Sequence, residues 1–108
     1  MAKLEKTLYE NFDQLLRRIE DGIISGSASA SLEDSSDFRT SGARCSVRVF
    51  ERYSWTGDNR VSMNVTLFQV EDGPVQVSAI TSGGSQALFF KMNTLGEESF
   101  LEQLDRIL

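Results

Sequence analysis

The spacing of apolar positions changes twice along the chain, from a two-residue period to a helical one and back. Residues 3–9 alternate weakly between apolar and polar, which predicts a short strand. A helical stripe then follows at Phe12, Leu15, Leu16, Ile19 and Ile23. Asn11 stands before this stripe as an N-cap, and we expect the helix to end between Gly22 and Gly26.

From residue 27 onward the period is two, which predicts a series of strands. The first covers 27–32 and leads into an acidic, serine-rich loop at 33–42. The clearest strand pattern covers 44–55. Its expected core face consists of Cys45, Val47, Val49, Tyr53 and Trp55. The next two strands add Val61, Met63, Val65, Leu67, Val75, Val77 and Ala79 to that face. A short last strand is expected at Leu88, Phe90 and Met92.

The C-terminal residues return to a helical period. Thr94 and Glu97 form a capping-box pattern, which predicts the start of a second helix. Its buried stripe is expected at Phe100, Leu101, Leu104 and Ile107 or Leu108. These elements predict a single α+β domain over residues 1–108, in the order β-α-β(4)-α, to which the short strand at 88–92 would add one more. Both helices should cover one face of a curved antiparallel sheet, an order similar to that of TATA-binding-protein-like and helix-grip folds.

The sheet face away from the helices is expected to be polar. With the core face assigned as above, this open face carries serines, an amide and a row of three arginines, Arg44, Arg48 and Arg52. It also carries the scattered apolar residues Phe50, Phe68 and Ile80. Mixed polar residues are usual on a solvated sheet face. However, Lys and Glu are almost absent from this set, and arginines with short hydroxyls also suit a binding surface or a dimer face.

A glycine pair, Gly83-Gly84, lies among hydroxyl side chains after the last long strand. Adjacent glycines suit a corner between strands, or a small nest of backbone N–H groups that binds an anion. No Gly-Lys-Ser/Thr follows, so the segment is not a Walker loop. A corner that borders the open face is the favoured interpretation. The candidate partner- or ligand-binding residues are therefore Arg44, Arg48, Arg52, Asn64, Thr66, Ser78, Ser82, Gly83, Gly84 and Ser85.

Composition and charge narrow the choice of partners. The net charge of −5 and the pI near 4.6 make nucleic acid an unexpected partner, since phosphate binding needs concentrated Lys and Arg. One cysteine, Cys45, cannot form an internal disulfide, which favours a reducing, cytoplasmic location. The N-terminal residues show no signal peptide, and no apolar run has the length of a membrane span.

Few catalytic arrangements fit these residues. The chain has no histidine, which excludes Ser-His-Asp and Cys-His systems and histidine zinc sites. The acidic segment 33–37 lacks the spacing of a calcium loop. Glu51 interrupts the expected core face, so it is either a buried carboxyl with a raised pKa or a residue that reaches solvent at a bulge or strand end. We expect no catalytic residue, metal or cofactor.

Several segments resemble a family of small single-domain proteins of unknown function from Gram-positive bacteria. They are SASLED (29–34), RCSVRVFERY (44–53), NRVSMNVT (59–66), and 78–93 with the following GEE (96–98). The resemblance covers nearly the whole chain and implies a bacterial, cytoplasmic protein. It transfers no activity.

The function expected from these features is non-enzymatic. The polar, Arg/Ser-rich open face would serve self-association as a homodimer or the binding of a ligand. The alternative is a small-molecule carrier with an apolar pocket between the sheet and the C-terminal helix, lined by Trp55, Met63, Phe90 and Met92.

Overall fold

The computed structural model describes residues 1–53, 60–83 and 90–108, with the side chains of 90–95 excepted. In these residues five strands and two helices follow the predicted order β-α-β(4)-α. The elements are β1 (Ala2–Leu8), α1 (Phe12–Ser25), β2 (Ser31–Arg39), β3 (Ala43–Tyr53), β4 (Arg60–Val70), β5 (Val75–Gly83) and α2 (Phe90–Ile107). All neighbouring strands pair antiparallel in the order β1-β5-β4-β3-β2, so the α+β class with an open antiparallel sheet is confirmed.

Helix α1 forms as the sequence predicts. The Asn11 side chain accepts a hydrogen bond of 2.9 Å from the backbone N–H of Gln14, which satisfies one of the free donors of the first turn. Gly26 is the C-cap, and its N–H donates to the Gly22 carbonyl. The predicted stripe of five apolar residues is the buried face of the helix.

The core lies between the helices and one face of the sheet. The odd-numbered residues of β4 and β5 face inward, from Val61 to Leu67 and from Val75 to Ala79. Phe50 of β3 packs with them and with Phe100 of α2, and both rings are fully buried. Each such side chain contributes roughly 1.5–3 kcal/mol by leaving water. The inward faces predicted for β4, β5 and the C-terminal stripe are therefore confirmed.

Strand β2 differs from the prediction. The expected strand at 27–32 and loop at 33–42 are replaced by a strand from Ser31 to Arg39, with the turn confined to 40–42. Eight of its nine residues are exposed, because β2 is an edge strand that pairs only with β3. Neither face is buried, so the sequence carries no apolar alternation there. The register of β2 shifts at Glu33, between Leu32 and Asp34, as in a β-bulge.

Helix α2 begins earlier than predicted. It starts at Phe90, so the expected strand through Phe90 and Met92 is wrong, and Thr94 lies inside the helix rather than at its N-cap. Leu88 lies outside the described residues. Alternation over three positions is too short to separate a strand from a helix. Glu97, expected as the capping-box residue of the first turn, is buried and contacts the Met1 ammonium at 3.1 Å.

Two glycines allow the helices to approach each other closely. A Cβ atom on Gly22 would lie 2.6 Å from Cδ1 of Ile107, and a Cβ atom on Gly26 would lie 2.4 Å from Nε2 of Gln103. Gln103 is buried and donates from Nε2 to the carbonyl of Ile23, at 3.1 Å. Side chains at these two positions of α1 would therefore push α2 away.

We expect Gly26→Ala to lower the free energy of unfolding by about 1–3 kcal/mol, as overpacking does in other cores. The backbone of Gly26 is in the right-handed helical region, which alanine also adopts, so the loss comes from the Cβ atom, which would displace the Gln103 amide and would lie 2.8 Å from the carbonyl oxygen of Gly22. Urea unfolding of the two proteins measures it. Gly42→Ala is the matched control, because nothing lies within 4 Å of its Cβ position, and it should stay within about 0.5 kcal/mol. Equal stability of the two variants would contradict this account.

Candidate interaction surface on the open sheet face

The inward face of β3 is the opposite of the predicted one. Directly paired residues of antiparallel strands share a face, and Arg48 pairs with Val65 and Phe50 with Met63, both inward residues of β4. The arginines of β3, which we call the arginine row (Arg44, Arg48 and Arg52), therefore lie under the helices and not on the open face. Cys45, Val47 and Val49 face outward in their place.

Helix α1 supplies the partners of the first two arginines. The Arg44 guanidinium forms two hydrogen bonds with the Asp13 carboxylate, at 2.8 and 3.2 Å, and stacks over the Phe12 ring. Arg48 is buried, with 8% of its surface exposed, and donates to Glu20 of α1 at 2.7 Å and to Asp37 of β2 at 3.1 Å. Ion pairs with these acids hold α1 against the margin of the sheet.

Helix α2 receives the third arginine. Arg52 donates to Oε1 of Gln103 at 2.7 Å and to Oγ of Ser99 at 2.9 Å, and its guanidinium lies 4.5 Å from the centre of the Phe100 ring. These partners are neutral. Burial of the guanidinium is the main cause that lowers the pKa of Arg52, and repulsion from Arg106 lowers it further. The arginine row thus connects the sheet to both helices, and its partners are part of the fold.

The open face consists of the outward residues of all five strands, and the register aligns them in rows. We call one the phenylalanine row: Phe38, Cys45, Phe68, Gln76 and Thr7. The middle row is Ser36, Val47, Thr66, Ser78 and Glu5. The third, the aspartate–lysine row, is Asp34, Val49, Asn64, Ile80 and Lys3. The face is therefore apolar and hydroxyl-bearing rather than rich in arginine.

Four of the ten predicted site residues lie together on this face. Thr66 pairs with Ser78 in the middle row, and the Thr66 hydroxyl donates to Oδ1 of Asn64 at 3.1 Å. Ser82 pairs with Ser62 at the end of β5. Gly83 pairs with Val61 as the last residue of the strand, while Gly84 and Ser85 lie outside the described residues, so the proposed corner does too. A ligand-binding role for all ten residues stays a prediction.

Only part of the apolar surface is expected from the sequence: alternation places Phe68 and Ile80 on the open face, as observed, but not Phe38, Val47 or Val49. Phe38 is 64% exposed, Val70 54%, and Phe68 and Ile80 42% each. Phe38 stood in the expected loop, and Val47 and Val49 were placed in the core. Pairing β2 with β3 in a hairpin around Gly42 would have aligned Phe38 with Cys45, which is the signal that could have found it.

One end of the open face carries an ion-pair cluster. Nε of Arg60 lies 2.9 Å from Oε1 of Glu51, and Nη2 of Arg60 lies 3.4 Å from Oε2 of Glu33. Ser62 also donates to Glu51, at 3.2 Å. Glu51 is half-buried on the open face, so it is not the isolated core carboxyl that the sequence allowed. Its partners explain why a charged residue is tolerated in mid-sheet.

The alternative apolar pocket has one described lining residue. Met63 is fully buried in the core. Trp55 lies outside the described residues, and the side chains of Phe90 and Met92 are not described. The carrier hypothesis therefore stays a prediction.

The described part of the chain holds no group of three His, Cys, Asp or Glu side chains that could bind a metal ion. Within the same residues, neither helix has the length and hydropathy that crossing a membrane requires.

The model of DUF6054, a family of unknown function, matches residues 1–108. The chain belongs to this family. The resemblance to a family of unknown function is thereby confirmed, while a Gram-positive bacterial origin stays a prediction. No curated protein and no solved structure matches the chain. DUF6054 membership transfers no activity, so a function has to be argued from the surface itself.

Acid should weaken the connection between β2 and the arginine row. Hydrogen bonds from the Ser46 hydroxyl and then from Arg48 lower the pKa of Asp37, and those from Arg44 lower the pKa of Asp13. A carboxyl with a lowered pKa in the folded state stabilises the fold above its unfolded pKa, near 4, and loses this effect as the pH falls below it. We therefore expect Asp37→Asn to be less stable by about 1 kcal/mol at pH 7, since the pair is partly exposed.

This difference should begin to shrink as the pH falls below about 4, where the carboxyl becomes protonated in the unfolded chain, and it should vanish only below the lowered pKa of the folded state. Urea unfolding at fixed protein concentration from pH 7 to pH 3 measures it. Asp72→Asn, in the exposed turn after β4, is the control and should follow the wild type throughout. A deficit of Asp37→Asn that stays constant with pH would contradict the assigned ion pair.

Proposed function

We propose that the protein acts as a non-enzymatic homodimer and that two copies associate through the open face. The observation that supports this is the set of exposed apolar side chains on the open face, which includes Phe38 and Phe68 of the phenylalanine row and Ile80 of the aspartate–lysine row. Solvated sheet faces usually carry polar residues at such positions, and contiguous apolar patches mark contact surfaces. Both helices contact the opposite face, so the open face has no cover within the described residues.

The size of the face suits a stable dimer. Five strands about 4.8 Å apart, each with about nine residues at ~3.3 Å per residue, present roughly 700 Å² per copy. Specific interfaces bury about 800 Å² per partner. Two sheets stacked face to face would thus form a contact of ordinary size, with a core thickness of about 10 Å.

The charges at the ends of the aspartate–lysine row select one arrangement. In one arrangement the two-fold axis lies between the two stacked sheets and runs parallel to β4, the central strand. β1 of one copy then lies over β2 of the other, and Lys3 lies opposite Asp34 of the partner. In the other arrangement the axis runs perpendicular to the strands, along the aspartate–lysine row. Lys3 would then lie over Lys3 of the partner, and Asp34 over Asp34 of the partner. Opposite charges favour the first arrangement and like charges oppose the second.

The same axis also matches the apolar side chains. It places Phe68 against Phe68 of the second copy, and Ile80 against Val49. Asn64 and Thr66 also meet their own counterparts near the axis, where short polar side chains can form hydrogen bonds across it. Isologous contacts of this kind close the assembly at two copies.

We also propose a cytoplasmic location and a bacterial origin. Cys45 is a free thiol that is partly exposed in the phenylalanine row, which suits a compartment that keeps thiols reduced.

Phe68→Asp should convert the dimer to a monomer, because two carboxylates would then meet at the axis in an apolar contact. Light scattering coupled to size exclusion measures the mass. Ile24→Asp on α1 is a closely matched control, since Ile24 is 41% exposed and Phe68 42%, and it should remain dimeric. A wild-type protein that is monomeric at every concentration would refute the proposal, as would a dimer that Phe68→Asp leaves intact.

The axis itself is tested by reversing charges. Asp34→Lys should raise the dimer dissociation constant several-fold, because two lysines then face each other, and Lys3→Asp should do the same with two acids. The double variant restores opposite charges and should bind nearly as tightly as the wild type. Sedimentation equilibrium gives the three constants. If the double variant is as weak as the sum of the single ones, the axis along β4 is wrong.

A further inference from the structure

A groove lies between the free edge of β1 and helix α2, on the helix side of the sheet, and it shares only Lys3 with the proposed dimer contact. Its volume is about 350 Å³. β1 contributes Ala2, Lys3 and Leu4, and α2 contributes Leu101 and the acids Glu98, Glu102 and Asp105, so three carboxylates and one lysine line the groove. We call it the acidic groove.

The free edge of β1 carries backbone N–H and C=O groups that are not paired with another strand of the described sheet. β1 pairs with β5 on one side and with no other strand among the described residues. In an antiparallel pair, alternate residues of an edge strand direct their N–H and C=O groups away from the partner strand. An extended segment placed along β1 would form main-chain hydrogen bonds with these groups, the mode called strand addition.

Helix α2 runs alongside β1 in the same direction. The Met1 ammonium contacts Glu97 in the first half of α2, and Lys6 forms an ion pair with Asp105 near its end, at 2.5 Å. The two elements therefore run parallel. Glu98 and Glu102 are exposed and are in no ion pair within the described residues. They are four residues apart, a rise of about 6 Å along a helix. Every second residue of an added strand recurs at about 6.6 Å, which nearly matches this spacing.

We propose that the acidic groove binds an extended, basic peptide segment of another protein, which adds to β1 as a sixth strand. Lysine or arginine at every second position would face α2, with its aliphatic stem on Leu101 and Leu4 and its charge at Glu98 or Glu102. The intervening residues would point to the open side of the sheet. The main chain would give affinity and the two carboxylates would select the basic side chains.

A second copy of this chain is a poorer occupant of the same edge. The other edge strand, β2, carries Glu33, Asp34 and Asp37 and a register shift, all of which oppose strand addition there. Antiparallel pairing of β1 with β1 of a second copy would bring like residues together at its centre, for example Glu5 with Glu5.

The probe is a fluorescein-labelled peptide, Thr-Lys-Thr-Lys-Thr-Lys-Thr, and its binding is measured by fluorescence anisotropy at physiological ionic strength. We expect the Glu98→Lys/Glu102→Lys variant to raise the dissociation constant at least tenfold, and Glu98→Gln/Glu102→Gln to raise it by a smaller factor. The matched control Glu71→Lys/Asp72→Lys makes the same charge change in the exposed turn after β4 and should stay within twofold. The same peptide with proline in place of its two central threonines should bind at least tenfold more weakly, since proline cannot donate to a strand ladder.

Hydrogen exchange locates the peptide. Amides of residues 3–7 should gain protection when it binds, while those of β2 should not. Binding that the Glu98/Glu102 variants leave unchanged, equal affinity for the proline peptide, or protection confined to β2 would each overturn the proposal. Protection of β1 that rises with protein concentration alone would identify a second copy as the occupant and overturn it too. None of these results depends on Phe68→Asp, so the groove and the dimer proposals fail separately.

Discussion

The inward orientation of the arginine row of β3, with Arg48 buried and Arg44 and Arg52 half-buried, is the constraint on which the rest of the structure depends. A guanidinium cannot lose its charge at ordinary pH, so each buried arginine needs acceptors close at hand. Asp13 and Glu20 of α1, Asp37 of β2, and Gln103 and Ser99 of α2 provide them. Both helices and the edge strand are therefore positioned by one strand, and removal of Asp13 would leave the Arg44 cation without its carboxylate partner.

The same constraint decides the character of the outer surface. Residues alternate strictly between the two faces of a strand, so turning Arg44, Arg48 and Arg52 inward turns Cys45, Val47 and Val49 outward. The interior gains polar contacts that specify the helix positions, and the exterior gains an apolar strip. The surface proposed for dimer formation is in this sense a product of how the core is built.

The sequence predicts the parts of the fold in which one physical signal dominates. In β4, Val61 to Leu67 are apolar on one face only, and in α1 the cap and the stripe agree. In β3 both faces can be buried, because an arginine stem packs like an apolar residue when its charge is paired. Those partners come from α1, β2 and α2, far away in sequence, so alternation alone chose the wrong face. Hence Asn64, Thr66, Ser78 and Ser82 were placed correctly and the arginines were not.

The exposed edge strand β2 gives the molecule a part that can separate from the rest. It pairs with β3 alone, and eight of its nine residues are exposed, so its opening would expose little apolar surface. Segments of this kind unfold locally at a lower free energy than the whole domain. Each such opening would free the Arg48 side chain from Asp37 and leave β3 as a temporary edge. Separation of β2 from β3 is thus the expected first step of subglobal unfolding.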